Sequence, residues 1–329
     1  MWFEELTGFK EESAGNVRSN LRIEGDYFIS TVDNKKFAFG ALELLTLDQL
    51  KDRSKNIAYF KDRIQVSEIV ADVQKLHAMP ENAYALFQAA SQFNLLEMAH
   101  PDIIPEQGID RYENDRTQGP ACAVACGAGT IYRNYFVPVN QQTGQTATNQ
   151  VDCLDLIGTA LENAKFNLWE MKNGYALFNK NGLLSLNKKL ANLRTLEREK
   201  LKRKLKTGIQ WNTEVTKSTT RHKVTQIYCA ALPVAYSHID ASYWEPFARI
   251  ILEATYESTL YAGLLNLEKN NCNLVYLTLV GGGAFGNEER WILESMQKAI
   301  SKFKNTPLNV KIVSYGRTND KLKNVLKEL

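Results

Sequence analysis

The chain has 329 residues, 44% of them apolar, 10% aromatic and 23% charged, which excludes a disordered or collagenous polypeptide. Its formal net charge of +3 is too small to imply nucleic-acid binding by itself. There is no run of eighteen apolar residues, and the acidic start Met1-Trp2-Phe3-Glu4-Glu5 has no basic region of the kind that opens a secretory signal.

Taken in chain order, Leu21–Ser30 and Lys36–Phe39 predict a hairpin about the turn Val32-Asp33-Asn34-Lys35. Thr46 caps a short helix ending near Arg53. Val66, Ile69, Val70, Val73 and Leu76 have helical spacing, so Ile64–His77 is expected as a helix, ended by Pro80. Tyr84–Ala90 has the length of a strand, and 91–118 is mostly loop. Pro120 suits the first turn of a helix over Ala121–Tyr132, and Tyr135–Val139 should be a strand. Residues 140–150 form a loop and Val151–Glu162 a helix. Tyr175–Phe178 predicts a strand, Lys180-Asn181-Gly182 a turn, and Ser185 begins a long helix that stops near Gly208. Val224–Leu232, Leu274–Val280 and Val310–Ser314 are strands. They alternate with helices over Trp244–Leu267, Glu288–Phe303 and a terminal segment capped by Thr318. Strands alternating with helices predict an α/β fold of three layers, α/β/α, whose sheet is mixed but mostly parallel, with N-terminal and central helical elaborations.

The five cysteines form no CxxC pair, and Cys122 and Cys126 fit the face of a helix, so a reducing compartment such as the cytoplasm is expected. His77, His100, His222 and His238 have no metal-ligand spacing, and neither a metal nor a cofactor is expected. Between Asn187 and Lys206 stand nine basic and two acidic residues, so this segment carries +7 and the remainder −4. The segment is either a solvated helix packed on the core or a docking surface for an acidic partner or a polyphosphate.

The most informative stretch is Gly281-Gly282-Gly283-Ala284-Phe285-Gly286-Asn287, between a buried strand and a helix. Glycines let backbone turn tightly and approach a ligand, and amides at a helix start favour an anion such as a diphosphate. No Gly-Lys-Ser/Thr follows, so it is not a nucleotide-triphosphate loop. A second stretch, Glu106, Asp110, Glu113 and Asp115, sets four carboxylates within ten residues of one loop. Carboxylates can stabilise an oxocarbenium-like state and activate water, which is the chemistry of glycosidic cleavage. The plain alternative is a solvated loop with Arg111 and Arg116 as ion-pair partners.

Gly283-Ala284-Phe285-Gly286-Asn287 resembles the diphosphate-wrapping turn of the macrodomain family of ADP-ribose-binding proteins. Ser91-Gln92-Phe93-Asn94 stands where that family shows an Asn-rich turn orienting the distal ribose, and Val310–Gly316 resembles its adenine-side strand and loop. The acidic 105–118 loop replaces the usual glycine run. In this it is similar to a divergent branch, akin to poly(ADP-ribose) glycohydrolases, that removes ADP-ribose from arginine on ubiquitin with aspartates. The resemblance implies a macrodomain-like core over 80–329 with a basic insertion around 165–222, and an N-terminal hairpin and helices, 1–79, packed upon it. It implies an ADP-ribosylhydrolase, with Asp110, Asp115 and Glu106 as catalytic candidates. The ligand contacts it implies are Gln92, Phe93, Asn94, Tyr112, Gly281, Gly282, Gly283, Ala284, Phe285, Gly286, Asn287 and Tyr315. ADP-ribose is then ligand or product. The partner is an ADP-ribosylated protein such as ubiquitin, without membrane or nucleic acid, and the chain a monomer working in the cytoplasm (a host's, for a secreted effector). A non-catalytic reader of ADP-ribose, or a phosphatase acting on an ADP-ribose derivative, shares the same cleft.

Overall fold

The computed structural model describes residues 1–57 and 62–327. Helices α1 (Trp2–Thr7) and α2 (Ala14–Asn20) precede a small antiparallel sheet of β1 (Leu21–Glu24), β2 (Tyr27–Ser30) and β3 (Lys36–Ala38). The expected hairpin is present. Leu21–Ser30 is itself folded in two, because Gly25 takes the left-handed φ of 61° that glycine adopts without a Cβ penalty. Phe28 sets its ring 4.7 Å from that of Phe136, tilted against it, and with Trp2 and Phe3 it forms a satellite core apart from the main one.

Next come β4 (Ala41–Thr46) and α3 (Leu47–Arg53), the latter opened by the reciprocal cap of Thr46 and Gln49. The helix expected over Ile64–His77 is instead β5 (Gln65–Val70) followed by short α4 (Val73–Ala78). Val66, Ile69 and Val70 are β-branched and suit a strand, and Asp72 starts a new helix by accepting from Gln74 N at 2.8 Å. β6 (Leu86–Ala90) lies where expected.

The alanine-rich helix is broken at Cys126 into α5 (Gln118–Ala125) and α6 (Gly127–Ile131). The widened turn Tyr132–Phe136 then sends its rings into the satellite core. The strand expected at Tyr135–Val139 therefore shrinks to β7 (Pro138–Val139), paired with β8 (Gln142–Thr143). α7 (Asp155–Ala160) occupies part of the expected Val151–Glu162, and α8 (Asn163–Phe166) leads to the hairpin β9 (Glu170–Lys172) and β10 (Tyr175–Leu177).

Lys180-Asn181-Gly182 is not a turn but the first turn of α9 (Lys180–Ala191), capped by Asn179, which accepts from Gly182 N at 2.8 Å. Nor does one helix run from Ser185 to Gly208. α9 stops, α10 (Thr195–Lys202) follows, and β11 (Lys206–Glu214) is a nine-residue strand. The chain continues as β12 (Lys223–Cys229), α11 (Glu245–Asn270), β13 (Leu274–Leu277), α12 (Glu289–Lys302), β14 (Asn309–Ser314) and α13 (Asp320–Lys327). Asn319, not Thr318, caps α13, its Oδ1 accepting from Lys321 N at 3.0 Å and Leu322 N at 3.1 Å.

Seven strands form the main sheet in the order β4-β11-β12-β6-β13-β14-β5. The β4/β11 and β11/β12 pairs are antiparallel and the other four parallel, the mixed and mostly parallel α/β sheet that the sequence predicts. Its edges, β4 and β5, both come from before residue 80, and β11 comes from the 165–222 segment, so both regions build the sheet itself.

Alternation along the strands separates two helical layers. In β6, Gln88 donates to Thr259 of α11 at 2.7 Å, whereas Phe87 stacks 3.7 Å from His77 of α4. In β12, Thr225 donates to Asn266 of α11 at 2.8 Å, whereas Gln226 donates to Cys122 O of α5 at 2.9 Å. Much of the basicity of α10 and its flanks is paired within the chain. Lys202, its side chain 1% exposed, meets Glu257 at 2.6 Å and Glu199 at 2.8 Å; Arg194 meets Glu197 and Lys206 meets Asp155.

Candidate active site

β6, β12 and β13 run parallel and end at one edge of the sheet, where open α/β sheets bind ligands beyond the strand termini. The segments leaving them surround a cleft of about 160 Å3, open to solvent at its mouth. One wall is the glycine turn after β13: Gly281, Gly283, Ala284 and Phe285 line the cleft. The glycines divide the work. Gly281 has φ of 80° and a Cβ there would fall 2.5 Å from that of Ala231; Gly286 has φ of 68°. Gly282 lies behind, against Ile292. At Gly283 a Cβ would meet nothing within 4 Å, so its backbone stands open to a ligand. Asn287 ties the turn shut. Its N donates to Gly281 O at 2.9 Å and its Nδ2 to Leu232 O at 2.8 Å.

Gln92 lines the opposite wall, but its amide is engaged with Met98, accepting from its N at 2.9 Å and donating to its O at 3.1 Å. Phe93 and Asn94 do not line the cleft. Phe93 is in the main core, and buried Asn94 donates to Gln150 at 2.8 Å while accepting from Leu96 N at 3.1 Å.

The acidic loop is dispersed rather than convergent. Asp115 alone of its four carboxylates lines the cleft, its Oδ1 accepting from Thr117 N at 2.8 Å and Thr117 Oγ1 at 2.7 Å. Asp110 turns to the start of α1 and accepts from Phe3 N at 3.4 Å; burial pushes its carboxyl up, with Glu11 and Glu113 adding to the rise. Glu113 accepts from Trp2 N at 2.7 Å, and Glu106 from Ala147 N at 3.0 Å. The first amides of a helix lack intrahelical partners, which is why α1 draws carboxylates. Tyr112 does not present a ring for stacking. It is buried in the satellite core, and its oxygen accepts from Glu97 N at 3.0 Å. Tyr315, 79% exposed, stands beyond the cleft in a wider groove that also reaches Asp115 and Gly283.

Several wall residues went unrecognised in the sequence. Gln118 fixes α5 to β6, donating to Gln88 O at 2.8 Å and accepting from Ala90 N at 2.7 Å. Its neighbour Gly119 is required there, since a Cβ would fall 2.0 Å from Ala90 O. Tyr175 and Tyr236 place their rings 5.3 and 5.7 Å from Phe285. Glu97 also lines the cleft, paired with buried Arg133 at 3.0 Å. Burial pushes the Glu97 carboxyl up to about 7, against the pull of Arg133. An acid within Leu95-Leu96-Glu97-Met98 and an arginine within Tyr132-Arg133-Asn134-Tyr135 were the available signal, because charges in apolar runs are paired when buried. Among the described residues no group of three or more His, Cys, Asp or Glu side chains can hold a metal ion, and no helix is long and apolar enough to cross a membrane.

The site thus belongs to an α/β protein with a glycine-walled cleft and carboxyl groups at the ends of parallel strands. No protein-family model matches the chain, nor does any curated protein. Its structural neighbours include poly(ADP-ribose) glycohydrolases. The enzyme from Deinococcus radiodurans in complex with ADP-ribose is 9% identical over 88% of this chain and 95% of that one, with a TM-score of 0.47. The enzyme from Thermomonospora curvata, bound to the inhibitor ADP-HPD, is 10% identical over 96% and 97%, with a TM-score of 0.46.

Proposed function

We propose that this chain is an ADP-ribosylhydrolase that releases ADP-ribose from modified protein. The observation that carries the reading is the meeting, in one cleft, of the open Gly283 turn with the Asp115 carboxylate. The turn offers backbone close enough to accept a diphosphate, and Phe285 beside it covers the adjoining ribose. Asp115 then stabilises positive charge at the anomeric carbon of the distal ribose and activates the attacking water.

The finer assignment is an arginine-linked ADP-ribose, on ubiquitin or another protein. A guanidinium is a planar donor that pairs with carboxylates, and Asp115 stands half-buried at the junction of cleft and outer groove. Tyr315 extends the site on the adenine side. We place the work in the cytosol, where five unpaired cysteines stay reduced.

Incubation with arginine-, glutamate- and serine-linked ADP-ribosyl proteins and ADP-ribose 1″-phosphate, with released product measured, tests this reading. Release from the arginine-linked protein is expected. A second reading, a reader that binds without cutting, is favoured by one observation: Asp110, Glu113 and Glu106 serve backbone amides rather than the cleft. Tight ADP-ribose binding without release from any substrate would select it, and release of phosphate alone would select the phosphatase.

A further inference from the structure

The reaction outlined above leaves one carboxyl group of the cleft wall unused. Glu97 sits between the turn after β6 and the start of α5, where a Cβ on Gly119 would fall 3.1 Å from Glu97 Cγ. Its side chain is 1% exposed, and among the described residues Arg133 Nη2 is the sole hydrogen-bond partner of its carboxylate, at 3.0 and 3.1 Å. A carboxylate accepts about four hydrogen bonds, so lone pairs remain open at a ligand-facing wall.

Arg133 is held from behind by an oriented chain of acceptors. Its Nε donates to Leu95 O at 2.9 Å, its Nη1 to the Tyr228 hydroxyl, and its guanidinium lies 3.7 Å from the centre of the Tyr228 ring. The Tyr228 hydroxyl donates to Gln226 Oε1 at 2.9 Å, and Gln226 Nε2 meets His77 Nε2 at 3.0 Å. His77 Nδ1 lies 2.8 Å from Val73 O, so the network assigns the imidazole proton to Nδ1 and lets Nε2 accept. Burial keeps that imidazole neutral, its pKa lowered to about 4. Donation therefore runs outward from Arg133, through Tyr228 and Gln226 to His77 on one side and to Glu97 on the other. Among the described residues the titratable groups that interact with Glu97 are Arg133, Tyr112, Tyr228 and Cys122, and the cleft it lines also holds the Asp115 carboxylate.

We propose that Glu97 is the proton donor of this cleft, with Arg133, Tyr228, Gln226 and His77 as positioning residues that fix its carboxyl; the assignment rests on the hydrolase reading. Protonated Glu97 gives its proton to the leaving nitrogen or oxygen as the bond between that atom and the anomeric carbon breaks. Water adds to the carbon and its proton passes to Asp115. ADP-ribose and the free acceptor depart, and the proton on Asp115 returns through solvent to Glu97, restoring both groups.

The test is Glu97→Gln, with single-turnover release of ADP-ribose followed from acid to alkaline pH and ADP-ribose affinity measured by calorimetry. Wild-type release is expected to fall as pH rises through about 7, since the donor must be protonated. The variant should release about 10²–10⁴-fold more slowly, lose that alkaline limb, and bind ADP-ribose within about tenfold of wild type. A variant as fast as wild type, or a slow one that keeps the limb, overturns the proposal and leaves a structural ion pair. Should the variant not fold, the wild type decides by infrared spectroscopy. A buried carboxylic C=O band that titrates with the release rate supports the assignment, and its absence throughout the range overturns it. Wild-type protein that neither binds nor releases ADP-ribose removes the hydrolase reading and this inference together. Wild-type release beside a fully active Glu97→Gln removes this inference alone.

Discussion

The two loops that face each other across the cleft are held in opposite ways. The glycine turn is closed by its own backbone: Gly286 N donates to Gly283 O at 3.0 Å and Asn287 N to Gly281 O at 2.9 Å, within seven residues of sequence. Two further bonds, Asn287 Nδ2 to Leu232 O and Ala235 N to Phe285 O, anchor it to the chain after β12. The acidic loop is held from outside. Glu11 accepts from Ile109 N at 2.9 Å and Asp110 N at 2.8 Å, Trp2 N reaches Glu113, and Ala147 N reaches Glu106. A loop fixed by its own backbone can leave its surface bare for a ligand. A loop fixed by its side chains spends them, and of four carboxylates only Asp115 lines the cleft.

Substitutions can break this contrast, the largest effect first. Asp115→Asn is expected to slow ADP-ribose release about 10²–10⁴-fold while affinity changes by less than about 1.4 kcal/mol. Full activity in a release assay would remove Asp115 from the chemistry. Gly283→Val puts methyl groups into space now open to a ligand, so ADP-ribose affinity should fall about 100-fold, roughly 2.7 kcal/mol, with thermal unfolding little changed. Unchanged calorimetric affinity would sink the assignment of the turn.

Glu11→Ala strips the acidic loop of its outside support, leaving the Ile109 and Asp110 amides without their acceptor. A loss of about 1–3 kcal/mol in denaturant unfolding is expected, with slower release. A variant of wild-type stability and rate would show that the loop holds itself. The smallest effect is that of Asp110→Asn. Burial raises the folded pKa of Asp110, so its ionisation opposes folding, and the contribution of the protonated form fades as pH rises through that value. The variant should therefore be more stable than wild type at neutral pH and lose that advantage in acid, with release unchanged. A large loss of release would return Asp110 to the cleft chemistry.

Legibility in the sequence follows the same division. β6, β12, β13 and β14 were readable because strands buried on both faces are short apolar runs, and the glycine turn because its requirement is local. β11 was hidden: Gly208 and Gln210 interrupt its apolar character, and the basic run before it reads as helix. β5 was hidden because Val66, Ile69, Val70 and Val73 satisfy a helical spacing as well as a strand's β-branched composition. The fates of Asp110, Glu113 and Glu106 depend on amides of residues 3, 2 and 147, which no local pattern reveals. Glu97 and Arg133 stand far apart in sequence and become a pair only once α6 lies against the sheet.

The order of strands in the sheet also sets when the cleft can exist during synthesis. β6 pairs with β12 through Leu86 and Thr225, and with β13 through Leu86 and Val275. Until residue 229 has left the ribosome, this apolar central strand has neither of its neighbours. A ligand site built on it is thus among the last features to form, and pairing across such separations is slow. A nascent chain released early would expose Leu86–Ala90 as an unpaired apolar edge, making it a target for chaperones rather than the bearer of a partly formed cleft.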